Sequence, residues 1–375
     1  MNLTLAFAIL FFSSGIFACQ LNNLKVIPNS HAKLFSVDDY DDGHLLTIRS
    51  PWSGEKKEIR YLLYRTKPVE EKNCRDIPQF KIPINRFVAF STSYLPALKQ
   101  LDKTDSLVAM VDSRYISDPQ LKERVASGKI VSLGYPPHPE RLLALKSDVV
   151  MAFVSESPEL EGLTKLEQLK IPLVYNADFR EKTPLARAEW IRFIAAFYDQ
   201  EQAATDHFKK IEINYGLQKE RVKKITEYPM VLLGEKRGDL WIAPAGGSYL
   251  DTYVREAAGR YLFSDTISDQ PLQFPFERVF SQISACRLWI TFSPWKSATE
   301  ALAQDRRHQL LFKLPMAVFS GNKKMHQAGG NDYFETGALR PDLVLADFIA
   351  MIHPELGAGR LEWFMPIDKK AEKNQ

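Results

Sequence analysis

Two segments far apart in this 375-residue chain read as copies of one another. His138-Pro-Glu-Arg-Leu-Leu-Ala-Leu-Lys-Ser-Asp-Val-Val-Met-Ala-Phe153 is echoed by Pro275-Phe-Glu-Arg-Val-Phe-Ser-Gln-Ile-Ser-Ala-Cys-Arg-Leu-Trp-Ile-Thr-Phe292. Each opens with a proline at or near its start and Glu-Arg, runs through a short amphipathic stretch, and ends in a strand-like apolar run. A unit repeated at this separation predicts two similar α/β lobes. The repeat also sets one acid at a matching place on each lobe, Glu140 and Glu277. Proline followed by an acid is a good helix start by itself, because the fixed φ and the helix dipole both favour it. Two such acids on two lobes also suit a symmetric partner.

The rest of the chain alternates in the way that two lobes require. Arg86–Phe90, Ser106–Val111, Lys129–Leu133, Asp148–Val154 and Pro172–Tyr175 are apolar runs separated by helical stretches. Met230–Leu233, Leu288–Phe292 and Ala317–Phe319 repeat the plan further on. Uninterrupted apolar strands between helices predict parallel sheets covered on both faces. Thr183-Pro184 marks a helix start. Asp199 reads as a second cap, with Gln202 at the third helical position of a capping box. Phe208, Ile211, Tyr215, Val222 and Ile225 then keep helical spacing. At 1.5 Å per residue this helix would reach ~39 Å, a rigid connector between lobes. The expected division is a signal at 1–18, an extension carrying a β-hairpin at 19–80, and a first lobe at 81–198. The linking helix at 199–227, a second lobe at 228–357 and a tail at 358–375 follow.

The amino terminus points outside the cytoplasm. Leu3 to Phe12 is an apolar run, followed by small residues and then Ala18-Cys19. It reads as a secretory signal, too short to span and remain. Cys19 after Ala18 resembles a lipoprotein cleavage box, although Met-Asn-Leu-Thr supplies no Lys or Arg ahead of the apolar run. Lipid on Cys19 would leave Cys74 and Cys286 as a bridge or as free thiols. Net charge is +3 with both signs interspersed, which calls for neither nucleic acid nor an anionic membrane surface.

Catalytic signatures are sparse. The chain carries no Walker A lysine motif, no G-x-S-x-G elbow, no H-E-x-x-H and no Cys-x-x-Cys pair. Its 7 histidines are scattered, without metal-ligand spacing. In open α/β sheets, ligands bind beyond the carboxyl ends of the strands. Those loops hold Ser91, Thr92 and Tyr94, Arg114 and Tyr115, Tyr135, and Asn176, Phe179 and Arg180 in the first lobe. In the second they hold Trp241, Gly246, Ser248 and Tyr249, then Ser293, Trp295 and Lys296, and then His326, Asn331, Tyr333 and Phe334. Aromatics mixed with a few cations suit a large, flat, partly anionic ligand. Gly246-Gly247-Ser248 could hold an anion at a helix start or be a plain tight turn.

These features together resemble the substrate-binding lipoproteins of bacterial ABC importers that carry iron-siderophores, haem or cobalamin. The most specific segment is Arg340-Pro-Asp-Leu-Val-Leu-Ala-Asp followed by His353-Pro-Glu-Leu356. Pro139-Glu-Arg-Leu-Leu-Ala-Leu-Lys-Ser-Asp-Val-Val and Ala245-Gly-Gly-Ser-Tyr-Leu250 add to it, and the likeness runs from about residue 81 to 357. It implies two Rossmann-like lobes joined by one long helix, a cleft ligand and a small hinge motion. It also implies that Glu140 and Glu277 pair with arginines of a dimeric permease served by an ATPase. The protein would be a non-catalytic monomer without a resident cofactor or metal, anchored in the periplasm through Cys19. Ferric siderophore is the first expectation for the cargo, cobalamin or haem the next. The competing reading is a cofactor or metallocluster enzyme on a similar fold, which would need clustered Cys ligands or a phosphate loop.

Overall fold

The computed structural model describes Cys19 and residues 21–155, 157–159, 162–357 and 359–369. The expected leader, residues 1–18, lies outside the described residues. Among these residues the strands form four sheets.

The first lobe is built on β5 (Phe87–Ala89), β6 (Leu107–Met110), β7 (Val131–Ser132), β8 (Val149–Ala152) and β9 (Leu173–Tyr175), in the order β7-β6-β5-β8-β9. All neighbouring pairs in it are parallel. β5 and β8 are buried along their whole length, because helices cover both faces. Those helices are α1 (Leu95–Gln100), α2 (Pro119–Ala126), α3 (Pro139–Leu145) and α4 (Thr164–Gln168). Asp118 caps α2 by accepting the N–H groups of Gln120 and Leu121 ahead of Pro119.

The second lobe repeats the plan with β10 (Met230–Leu233), β13 (Arg260–Tyr261), β15 (Leu288–Thr291) and β16 (Ala317–Ser320), all parallel. A short antiparallel sheet of β11 (Glu235–Arg237), β12 (Leu240–Ala243) and β14 (Leu272–Pro275) flanks it. The helices here are α8 (Tyr249–Glu256), α9 (Phe276–Phe280), α10 (Ala298–Gln304), α11 (His308–Phe312), α12 (Asp332–Leu339) and α13 (Pro341–Ile352). The sequence repeat has a spatial counterpart. α3 leads into β8, which pairs with β5; α9 leads into β15, which pairs with β10. In each sheet the order reverses between these two strands, and that is where doubly wound sheets open a crevice.

Between the lobes run α5 (Pro184–Ala188), α6 (Ile191–Ala196) and α7 (Glu201–Val222). Thr183 caps α5 as expected, accepting the Ala186 N–H. α7 has 22 residues, about 33 Å, and begins later than the sequence indicates. Its cap position is Gln200, with no side-chain cap bond, because Asp199 sits at φ 56° and turns its carboxylate to Arg65.

Three expectations about the ends are corrected. The amino-terminal extension is a sheet of β1 (Phe35–Tyr40), β2 (Gly43–Ile48), β3 (Ile59–Tyr64) and β4 (Gln79–Lys81), not a lone hairpin. It is not an appendage either, since Phe35, Tyr61 and Phe80 belong to the same apolar core as β5 and β8. The Phe35 ring meets Trp190 at 4.7 Å, and Phe80 meets Phe197 at 5.9 Å. Within the tail, β17 (Met365–Pro366) pairs with β16 while Trp363 and Phe364 are buried. Finally, Cys19 is disulfide-bonded to Cys74, and Cys286 is the buried free thiol. One sulfur forms one such bond, so the structure as described does not carry the expected lipid thioether on Cys19. The Cys74–Cys286 bridge left open by the sequence is not formed.

Candidate functional site

The strand ends of the two lobes face one another across α12. This helix belongs to the second lobe by sequence and by its capping: Asn331 accepts the Tyr333 N–H and donates to the Gly321 carbonyl. Its far end nevertheless crosses over, and Leu339 is part of the first lobe's apolar core. α12 packs against α1, α5 and the 3-10 turn Thr92–Tyr94. Further contacts tie the lobes. The Glu335 carboxylate accepts the Ser117 and Asp118 N–H groups at 2.7 and 3.1 Å. Lys182 reaches Asp269 at 2.8 Å, and the Thr252 hydroxyl donates to the Lys182 carbonyl. The Arg187 guanidinium lies 4.3 Å from the centre of the Tyr249 ring.

Contact this close leaves little room at the base of the cleft. The two cavities there have volumes of about 20 and 10 Å³, and both are lined by Arg187 and Ala338. Each is on the scale of one water molecule. Larger hollows of about 730, 530 and 700 Å³ surround the amino-terminal sheet instead. The base of the cleft is polar as well as tight. Asp178 is buried beside Arg187, and burial pushes its carboxyl above the ordinary range against the pull of that cation. The Tyr94 hydroxyl is buried there with no hydrogen-bond partner.

The expected site residues divide into three groups. Several are accessible or partly accessible. Tyr115 and Tyr135 are 44% and 59% exposed, and Arg114 is exposed and paired with Asp112. Phe179 packs edge-on against Phe153 at 6.0 Å. Arg180 is half-buried, its Nε has no partner, and burial holds its pKa below the usual arginine value. Lys296 donates to the Met325 carbonyl, and Phe334 is 49% exposed.

A second group serves the local backbone. Ser91 accepts the Ser93 N–H, and Ser248 caps α8. The Gly247 N–H is taken by the Asp251 carboxylate at 2.7 Å, so this loop is the tight turn rather than an anion cradle.

A third group is core, and here the sequence reading is corrected. Trp241 and Trp295 are 0% and 3% exposed and pack against Trp289, tilted and edge-on, with ring centres 5.5 and 5.6 Å away. Trp241 lies within β12, and its indole N–H donates to the Leu233 carbonyl. Tyr94 and Tyr333 are buried too, Tyr333 against Phe292 at 4.6 Å.

Sequence reasoning passed over Phe153, Lys182, Arg187 and Glu335. Phe153 follows β8 directly, so the strand-end rule could have found it. Arg187 and Glu335 sit inside helices, and only the meeting of the lobes gives them partners.

Possible metal ligands gather in two places among the described residues. His44, Asp199 and Glu201 converge, but Arg65 already holds Asp199 through both carboxylate oxygens. Cys19, Glu71 and Cys74 converge with both thiols in the disulfide. Neither is a free ligand set. Glu140 and Glu277 are exposed in the first turns of α3 and α9.

A sequence profile described as periplasmic binding protein matches residues 88–311. The chain belongs to the periplasmic binding protein family. The matched region runs from β5 into α11 and so includes the first lobe, α7 and the earlier part of the second lobe. The family is one of solute-binding components of ABC importers, not of enzymes. An uncharacterized lipoprotein of Methanocaldococcus jannaschii is 22% identical, over 92% of this chain and 86% of its own length. A periplasmic haem-binding protein from Pseudomonas aeruginosa superposes with a TM-score of 0.56 at 16% identity, over 77% of this chain and 99% of that one. A molybdate periplasmic binding protein of Haemophilus influenzae gives 0.53 at 16% identity, over 74% and 88%. At such identities these structures establish the fold shared with this family member.

Proposed function

We propose that this binding protein captures a metal chelate between its lobes, a ferric siderophore in the first place, and delivers it to an ABC permease. One observation carries the reading. Tyr115, Tyr135 and Phe153 remain exposed just beyond strand ends, Phe334 is exposed on α12, and a half-buried Arg180 whose Nε has no partner among the described residues accompanies them. Exposed rings offer flat apolar surface, and a partly desolvated guanidinium favours a planar anionic group such as a carboxylate or catecholate. A bare divalent cation would call for a cluster of His and carboxylate ligands, and the candidate cleft residues are aromatic and cationic. Isothermal titration against ferric siderophores, haem and cobalamin tests the cargo. Heat from siderophores alone supports the first reading, heat from haem or cobalamin alone replaces it, and silence throughout overturns chelate binding.

Glu140 and Glu277 serve as the docking pair. The support is their matched position, exposed at the first turn of two equivalent helices. Exposed ion pairs are individually weak, but two of them fix register and steer approach. Changing both to alanine is expected to abolish uptake with ligand affinity unchanged; uptake that persists removes the docking role. The protein acts outside the cytoplasm, and relatives named lipoproteins support attachment through Cys19, in a form whose sulfur carries lipid instead of the Cys74 disulfide.

A further inference from the structure

Glu335 is a carboxylate buried between the two lobes. It is 2% exposed, on the helix that crosses from one lobe into the core of the other. Its two oxygens take separate N–H groups, Ser117 through Oε2 and Asp118 through Oε1. Those donors sit where the first lobe's backbone turns into α2, and Asp118 is itself the cap of that helix. The carboxylate therefore grips the backbone of the opposite lobe and depends on no side chain there. The same stretch is held close from its other side, since a Cβ at Gly330 would collide with the Tyr115 carbonyl oxygen.

Among the described residues no cation forms an ion pair with this carboxylate. Asp332 on its own helix and Asp118 on α2 are the acids that face it. Lys99 from α1 is engaged with Asp118, and Lys324 reaches Asp332 and Glu362. His326 lies in the turn that returns to Gly330. The Ser117 hydroxyl is buried and has no partner among the described residues.

We propose that Glu335 is a proton-sensitive latch between the lobes, a positioning residue that sets how readily the cleft closes. The inference rests on the two-lobed, ligand-capturing reading but not on the identity of the cargo. Its direction follows from linkage. In the closed structure burial, and then the two neighbouring acids, push the carboxyl up to about 7 despite the two N–H bonds. In an open cleft the group meets water and returns to the ordinary carboxylate range. Closure therefore takes up a proton, favouring the closed form below about pH 7 and weakening it as pH rises through that value. A carrier built this way holds cargo more firmly in acid surroundings.

The test needs no ligand. Spin labels on Lys129→Cys and Gln309→Cys report the separation of the lobes by double electron–electron resonance. Hydrogen exchange at the Ser117 and Asp118 amides, corrected for intrinsic rates, reports the latch itself. The expected result is a longer mean separation and lost amide protection as pH rises from about 4 to 8, most of the change falling between the ordinary carboxylate range and about 7. Glu335→Gln keeps the shape and cannot ionise, so both readouts should become flat with pH. Asp118→Asn retains a capping side chain and removes a like charge, so the midpoint should move to lower pH. A wild-type separation that ignores pH, or a Glu335→Gln protein that titrates like the wild type, overturns the latch. Neither outcome touches the chelate reading, which the titration panel decides separately.

Discussion

Glu189 gives the sharpest test of how the amino-terminal extension is held. It sits just after α5, is 1% exposed, and accepts the N–H groups of Ser30, His31 and Ala32 at 2.8, 2.8 and 2.7 Å. Arg192 pairs with it at 3.2 Å. Glu189→Ala strands all four partners, but not equally. Ala32 is buried, and its orphaned N–H should cost about 2 kcal/mol. Ser30 is exposed and His31 half-buried, and both can recruit water, so roughly 0.5 kcal/mol each is reasonable. Arg192 keeps the Asn29 side chain at 2.8 Å, which limits the loss there to about 1 kcal/mol. The expected total is about 4 kcal/mol, within the range for breaking a buried ion pair. Glu189→Gln keeps one accepting oxygen and should lose about half of that. Urea unfolding followed by tryptophan fluorescence measures the loss, and trypsin cleavage at Lys33 reports whether the segment has lifted away. A loss below ~1 kcal/mol with Lys33 still protected would mean that apolar packing about Phe35, not this carboxylate, seats the extension.

His44 should make the same module pH-dependent. Burial pulls its pKa down, yet hydrogen bonds to Glu201 and Asp39 outweigh that and leave it raised above 6.5. Its contribution is then complete below the unfolded value and lost as pH rises through the folded one, so His44→Gln should flatten the stability–pH curve in that window. Leu339→Ala removes a second-lobe side chain from the first lobe's core and should cost about 2–3 kcal/mol by thermal or urea unfolding, with wider lobe separation. Cys286 is buried with its thiol pushed up to about 12, so native alkylation should miss it, and reduction should expose only Cys19 and Cys74. Intact mass of membrane-bound and released protein should show lipid on Cys19 only where Cys74 is a free thiol.

The lobes were legible because their signal is local and repeated. Val149–Ala152 and Leu288–Thr291 are apolar throughout, and only a strand covered on both faces needs that. Proline at the first helical position marked α3 and α5 for the same reason, with Thr183 capping the latter, since a helix start is decided within a few residues. The site was harder to read. Trp241 and Tyr115 both follow from a rule about strand ends, yet one is core and the other exposed. Composition cannot separate them, because an aromatic ring is equally at home against Trp289 and against a ligand.

Sequence alone determined the duplication, the parallel strands, and the matched acids Glu140 and Glu277, all of which rest on near neighbours along the chain. Tertiary structure alone decided what lies between the lobes. Glu335 and Glu189 look like ordinary surface acids in the sequence. Each acquires its role from backbone N–H groups more than 150 residues away, Ser117 for one and Ser30 for the other. A buried carboxylate is tolerated only where such donors meet it, and no local pattern records where distant donors will arrive.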